Sequence, residues 1–158
     1  MNAHDRMTPK HGHDHWMRAA LREAEKAYDL NEVPIGCVIV REEKIIARGH
    51  NLTEQLKDAT AHAEMMAITA ASAALESRYL TDVTLYVTLE PCSMCAGGIV
   101  LARIPRLVFG AYDPKGGGVD HGPMIFAQST CHHRPEVVGG IDAARAELLL
   151  KGFFGERR

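Results

Sequence analysis

The stretch DVTLYVTLEPCSMCAGGIVLARIPRLVFGAY, residues 82–112, predicts the centre of the fold. Its first eight residues are rich in β-branched residues and favour a strand. Pro91 stands where a helix can begin, and residues 92–102 continue as that helix. Residues 106–112 favour a second strand. A strand, a helix and a strand in this order are typical of a parallel sheet with helices packed on it.

The segments before this stretch predict one helix and two strands. Apolar residues at helical spacing follow Asp14, a candidate N-cap, and predict the first helix. VPIGCVIV (33–40) and KIIARGHN (44–51) then favour two strands, and residues 41–43 suit the turn of a hairpin. A hairpin makes this strand pair antiparallel.

Two further helices complete the predicted order of elements. Thr60 is a candidate N-cap for a helix over 61–76, and the apolar face of 141–154 predicts the last helix. The segment 124–140 follows a glycine-rich loop and fits neither periodicity. The order predicts an α/β fold with a mainly parallel sheet, helices on both faces and an antiparallel first strand pair.

Length and composition restrict the class of protein. A chain of 158 residues with 46% hydrophobic and 24% charged residues is typical of one globular domain. We expect a disordered tail over 1–13 and a single domain over 14–158. The net charge of -2 excludes a polycation, so a nucleic-acid site would be a local basic patch. No apolar run predicts a signal peptide or a membrane span, which favours a cytoplasmic protein with no membrane partner.

Two short motifs carry the predicted chemistry. His62 and Glu64 lie at the predicted start of one helix, and Cys92 and Cys95 lie at the predicted start of another. If these helix N-termini meet at the carboxyl ends of the strands, His62, Cys92 and Cys95 supply three ligands of a catalytic zinc and leave its fourth position open. Glu64 would then lie close enough to exchange protons with a water molecule at that position.

Each motif alone has other interpretations. A Cys-x-x-Cys pair also occurs in redox sites and in zinc ribbons, but a ribbon needs a second pair that this sequence lacks. Cys131, His132 and His133 are candidates for a fourth ligand, although they lie far along the chain. Cys37 lies in an apolar run and is predicted to be a buried, inert thiol.

The combination HAE…PCSMC resembles the zinc-dependent nucleoside and nucleotide deaminases. Five segments resemble the bacterial tRNA adenosine deaminases in order and spacing: EVPIGCVIV, GHN, DATAHAEM, TLYVTLEPCSMCAGGIVLARIPRLVFGAYDPK and LLLKGFFGERR. This resemblance implies a three-layer α/β/α cytidine-deaminase-like fold around a mixed sheet of about five strands. It also implies one Zn²⁺ per chain and a homodimer. The implied reaction converts adenosine to inosine at the wobble position of a tRNA anticodon stem-loop.

The same resemblance implies roles for individual residues. His62, Cys92 and Cys95 would hold the zinc ion, and Glu64 would shuttle the proton. Asn51 would hydrogen-bond the target base, although it also fits the end of a hairpin strand. The remaining implied contacts are with RNA: Asp113 near the target nucleotide, and Phe154, Arg157 and Arg158 at the end of the last helix.

Several features leave the substrate open. Tyr112 stands where the family usually has arginine, and VDHGPMIFAQST differs from the family's usual helical stretch. Asp113 also fits a loop cap, Phe153 fits core packing, and the terminal arginines fit a solvated end. The alternatives are a deaminase of free guanine, cytosine or cytidine, and a zinc-stabilised RNA-binding module. An intact Glu64 argues against the module, because a structural zinc site has no use for an acid–base residue.

Overall fold

Five strands form one mixed sheet at the centre of residues 11–157, the part of the chain that the computed structural model describes. Their order across the sheet is β2-β1-β3-β4-β5. The second strand is antiparallel to the first, as the hairpin predicts, and the third is antiparallel to the first as well. The last two pairs are parallel, so four strands run in one direction. The strands are β1 (Gly36–Arg41), β2 (Lys44–His50), β3 (Thr84–Leu89), β4 (Arg106–Ala111) and β5 (Glu136–Val138).

Four helices cover the two faces of this sheet within the described residues. They are α1 (His13–Asp29), α2 (Ala63–Leu75), α3 (Ser93–Leu101) and α4 (Ala143–Gly155). Helices α1 and α4 pack on one face, and α2 and α3 pack on the other. The predicted three-layer α/β/α fold is thereby confirmed. No helix within residues 11–157 has the length and apolar character needed to cross a membrane.

The central strands alternate side chains between the two faces. In β3, Leu85 and Val87 belong to the core beneath α2 and α3, whereas Tyr86 belongs to the core beneath α1. In β4, Phe109 and Val108 divide between the faces in the same way. Both strands are buried on both faces, and β3 nevertheless carries hydroxyl groups on the α1 face, where the Thr88 hydroxyl accepts a hydrogen bond from the amide of Gly36 at 3.1 Å.

Gly49 brings α2 into close contact with β2. A Cβ atom on Gly49 would lie 2.4 Å from the carbonyl oxygen of Ala63 and 2.8 Å from the nitrogen of Ala67, closer than any real side chain allows. The glycine therefore lets the first turn of α2 lie directly against the strand. This contact sets the position of the N-terminus of α2 relative to the carboxyl edge of the sheet.

Two predicted N-caps are wrong. Helix α1 begins at His13 after Gly12, so Asp14 lies in the first turn instead of capping it. Helix α2 begins at Ala63 and not at residue 61. The hydroxyl and amide of Thr60 both donate to Asp58, at 2.7 and 2.8 Å. Thr60 therefore completes the preceding turn, and it does not cap the helix.

The remaining boundaries differ by small amounts. Cys92 is the N-cap of α3 and precedes the helix, one residue outside its predicted start. The ambiguous segment 124–140 contains a single 3₁₀ turn, Ile125–Ala127, and the short strand β5. Most of the predicted tail, residues 1–10, lies outside the described residues.

Candidate active site

The N-termini of α2 and α3 meet at one edge of the sheet. Strands β2 and β3 run in the same direction and end at that edge, at His50 and Leu89. Each strand leads into the helix that follows it in the chain. Side chains at these two helix N-termini therefore converge, as is usual at the carboxyl edge of an open α/β sheet.

His62, Cys92 and Cys95 form a compact cluster at this edge. The Nδ1 atom of His62 lies 3.5 Å from the Sγ atoms of both Cys92 and Cys95. The three donor atoms all lie within 4.8 Å of one another, and no other such group of histidine, cysteine and acidic residues occurs among residues 11–157. His62 is the N-cap of α2, Cys92 is the N-cap of α3, and Cys95 lies in the first turn of α3. We call these three residues the metal cluster.

The metal cluster fits a tetrahedral zinc ion. Zinc–sulfur and zinc–nitrogen bonds of about 2.3 and 2.1 Å at tetrahedral angles separate nitrogen from sulfur by about 3.6 Å. The observed nitrogen–sulfur distances of 3.5 Å match that separation. Two thiolates and one imidazole are also ligands that zinc prefers.

The candidates for a fourth ligand lie elsewhere. The Sγ atom of Cys131 donates to the carbonyl of His133 at 3.1 Å, and the Nε2 atom of His133 contacts the carbonyl of Ile104 at 2.7 Å. Neither these two residues nor His132 belongs to the metal cluster. None of these three side chains therefore fills the fourth coordination position of a metal ion held by the cluster.

Hydrogen bonds within the metal cluster separate the acidities of its groups. The hydrogen bond from Cys95 lowers the pKa of Cys92 to about 4. The same bond, together with burial, raises the pKa of Cys95 well above its ordinary value. The hydrogen bond with Cys92 also raises the pKa of His62. The cluster thus retains protons that a metal ion would displace, and its metal affinity should increase with pH.

Glu64 lies beside the metal cluster in the first turn of α2 and is buried. Burial raises the pKa of its carboxyl to about 7, and the charge on Cys92 adds to that effect. A carboxyl with this pKa can both accept and donate a proton near neutral pH.

Asn51 follows β2 and is buried near the same edge. Its amide nitrogen lies 3.3 Å from the carboxylate of Glu32, which is also buried. The same carboxylate accepts hydrogen bonds from the backbone amides of Glu54 and Gln55, at 2.7 and 2.8 Å. Glu32 therefore orients Asn51 and holds the loop after it. Glu32 opens the segment EVPIGCVIV, but nothing in the local sequence predicts that its side chain holds Asn51 and the loop after it.

A second buried glutamate, Glu90, holds the loop on the other side of the metal cluster. Its carboxylate accepts hydrogen bonds from the amides of Asp113 and Asp120, at 3.0 and 2.9 Å, and contacts Nδ1 of His121 at 2.8 Å. Burial opposes ionisation, but these bonds outweigh it and lower the pKa of Glu90. The loop also contacts α3, since the amide of Gly118 donates to the carbonyl before Cys92 at 2.8 Å. The local sequence around Glu90 does not predict this role either.

A groove of about 610 Å³ lies along the same edge of the sheet, between the strand ends and α4, and no residue of the metal cluster lines it. Its lining includes Leu89, three residues before Cys92. The side chains around it are apolar, aromatic and charged, and they come from four separate parts of the chain. They include Val33, Ile35, Tyr112, Asp113, Lys115, Lys151 and Phe154. We call this surface the groove.

The predicted RNA-contacting residues occupy different positions. Asp113 lines the groove, and its carboxylate also accepts from the amides of Lys115 and Gly116, at 3.2 and 3.0 Å. Phe154 lines the groove and is 51% exposed, whereas Phe153 is buried. Arg157 donates to the carbonyl of Phe153 and to the side chain of Asn31, and its guanidinium lies 3.3 Å from the centre of the Phe153 ring. Arg158 lies outside the described residues.

Comparisons with known proteins agree with this architecture. A model of the MafB19-like deaminase family matches residues 11–158. The tRNA-specific adenosine deaminase of Agrobacterium fabrum is 49% identical over 91% of this chain and 95% of its own length. A structure from a study of A-to-I editing by tRNA:A34 deaminases at the wobble position is 49% identical, with a TM-score of 0.84 over 86% of this chain and 99% of that chain. Guanine deaminase from Bacillus subtilis is 36% identical, with a TM-score of 0.62 over 65% of this chain and 66% of that chain. The chain therefore belongs to the MafB19-like deaminase family and, by its 49% identity over 91% of its length, to the bacterial tRNA-specific adenosine deaminases.

Proposed function

We propose that this protein converts adenosine to inosine at the wobble position of a tRNA anticodon by zinc-dependent hydrolysis. The observation that carries the proposal is the metal cluster with Glu64 buried beside it and the groove opening from the same edge. The relatives named for tRNA adenosine deamination support the choice of substrate.

His62, Cys92 and Cys95 would hold one Zn²⁺ in this proposal. When bound, the ion supplies Lewis-acid activation of a water molecule. The two helix N-termini support the site, because their dipoles stabilise thiolates at Cys92 and Cys95. Apolar residues of the same two helices, Ala63 and Ala96, belong to the core beneath the cluster.

Glu64 would move the protons. The reaction forms a C6–O bond, breaks the C6–N bond of adenine and releases ammonia. A carboxylate at Glu64 accepts a proton from the attacking water and delivers it to the departing amine. Burial raises the pKa of the Glu64 carboxyl, which makes it a stronger base toward the attacking water.

The two loops beside the metal cluster would position the RNA. Asn51, oriented by Glu32, would hydrogen-bond the edge of the target base. Lys115 and Lys151 would contact phosphates, and Phe154 offers an exposed ring to an unstacked base. An anticodon loop suits this surface, because its bases can leave the stack without breaking a duplex.

A homodimer and a cytoplasmic location are further parts of the proposal. Helix α3 exposes apolar side chains on its outer face: Met94 is 37% and Leu101 is 70% exposed, and Gly97 has open space beside it. Burying this face against a second copy would remove apolar surface from water. Sedimentation equilibrium should then give twice the chain mass, and Leu101→Glu should give the mass of one chain.

Incubation with total tRNA tests the proposed reaction. Sequencing of the treated tRNA should show adenosine converted to inosine at the wobble position and at no other position. Parallel assays for ammonia release from guanine, cytosine and cytidine test the small-molecule alternative. Turnover of one of those compounds without inosine formation would replace the proposal with that alternative.

A further inference from the structure

Tyr112 stands between β4 and Asp113, and its side chain lines the groove. Tyr112 is 46% exposed, which is unusual for an aromatic residue that directly follows a buried strand. Phe154 of α4 lines the same groove and is exposed to a similar degree. Two exposed rings in one groove need an explanation other than core packing.

The orientation of the Tyr112 ring is fixed by its neighbours. It packs edge to face on Phe109, with ring centroids 5.0 Å apart, and lies 6.2 Å from the ring of His121. A Cβ atom on Gly139 would lie 2.8 Å from the Tyr112 hydroxyl, so a larger residue there would displace the ring. Gly140 has a φ of +85° and a Cβ atom there would also contact the ring. The ring therefore rests on a glycine backbone while about half of the residue stays accessible.

Charged side chains of both signs surround Tyr112 in the groove. Lys115 and Lys151 line it together with Asp113 and Glu147, and the two lysines are the groups that could contact phosphates. An ordered aromatic face beside cationic side chains is the combination with which proteins bind unpaired nucleotides, by stacking on the base and contacting the phosphate. His121, which contacts the buried carboxylate of Glu90, connects Tyr112 to the loop that carries Asp113.

We propose that Tyr112 stacks against one base of the anticodon loop that flanks the target adenosine, and so helps to select the RNA. This inference rests on the proposed function, because it takes an anticodon loop as the substrate. Tyr112 would contact substrate but take no part in the proton transfers. Substitution of Tyr112 would therefore lower the affinity for RNA and leave zinc binding unchanged.

A titration of stem-loop RNA with substituted proteins tests the inference. We would measure Kd for a fluorescently labelled anticodon stem-loop with the full zinc-loaded chain, carrying Glu64→Gln to prevent turnover. In that background, Tyr112→Leu should raise Kd about tenfold, since it keeps apolar contact with Phe109 but removes the flat face. Tyr112→Phe should stay within about twofold of Tyr112. Thermal melting and zinc content, measured for each variant, identify any that fails to fold.

Abasic RNAs separate stacking from a structural role. Each loop nucleotide that flanks the target is replaced in turn by an abasic site, and Kd is measured for Tyr112 and Tyr112→Leu. Stacking predicts that the difference between the two proteins disappears for one abasic RNA and persists for the others. An equal difference for every RNA, or no difference for the intact RNA, would overturn the inference. If the unsubstituted enzyme forms no inosine in tRNA, the proposed function fails instead, and the two failures are thereby distinguished.

Discussion

The metal cluster and the groove lie at the same edge of the sheet but are built differently. The metal cluster uses side chains from the starts of two helices, each placed by a motif of three or four residues. The groove combines Leu89 with residues 33–35, 111–115 and 147–154, which are far apart in the chain. Loss of a single donor atom disables a metal site, whereas a binding surface sums many weak contacts. Substitutions in the metal cluster should therefore abolish zinc binding and activity almost completely. Substitutions in the groove should each weaken RNA binding by a small amount.

The largest effect should come from Cys92→Ala. It removes one of three ligands, so we expect loss of zinc and loss of detectable deamination. Metal analysis by mass spectrometry and an inosine assay measure the two effects. Cys131→Ala is the matched control, because Cys131 lies outside the metal cluster and its thiol contacts His133. Zinc loss in the control would show that Cys131 completes the metal site.

Glu64→Gln should give the next largest effect. The amide cannot carry the proton, and general acid–base catalysis contributes about 10²–10⁴-fold. We expect kcat to fall by at least that factor while the zinc content stays at one per chain. Glu76→Gln, at the exposed C-terminal end of the same helix, should leave kcat unchanged. A Glu64→Gln protein without zinc would make Glu64 a ligand or a support for the cluster.

These differences also explain what the sequence could predict. His62 and Cys92 were identifiable because a short motif places each donor at the start of a helix, and the alternation of elements predicts where those starts meet. Glu32 and Glu90 were not identifiable, since their hydrogen-bond partners lie 19 to 31 residues away and no periodicity marks them. Strand β5 is three residues long, too short to show a period of two. Local motifs thus mark the donors of the metal cluster, although His62 and Cys92 lie 30 residues apart, whereas no local pattern marks the two buried glutamates that hold the loops.

Glu90→Gln should have an intermediate effect, because it changes the loop and leaves the metal ligands in place. The amide would turn one acceptor into a donor opposite the backbone amides of Asp113 and Asp120, at a cost of about 1–3 kcal/mol in the free energy of unfolding. We expect KM for the stem-loop to rise about tenfold with a smaller change in kcat. Steady-state kinetics and thermal melting test this expectation.

Glu32→Gln is the counterpart of Glu90→Gln on the other loop. It should disturb Asn51 and hence the placement of the target base, so kcat should fall more than KM rises.

If instead Glu90→Gln loses zinc as completely as Cys92→Ala, then Glu90 supports the metal cluster and the division between cluster and groove does not hold.

The smallest effects should come from the cationic residues near the groove. Each lysine or arginine that contacts a phosphate of single-stranded nucleic acid contributes about 0.7 to the slope of log Kd against log salt concentration. Lys151 lines the groove, so Lys151→Ala should reduce the slope by about that amount. Arg157 is engaged with Phe153 and Asn31, and a phosphate contact would require it to leave both. The double variant Arg157→Ala with Arg158→Ala should therefore reduce the slope by less than the loss of two phosphate contacts would. Salt titrations of stem-loop binding measure both slopes. A loss of two full contacts would place the C-terminal arginines in the RNA site, and an unchanged slope would remove them from it.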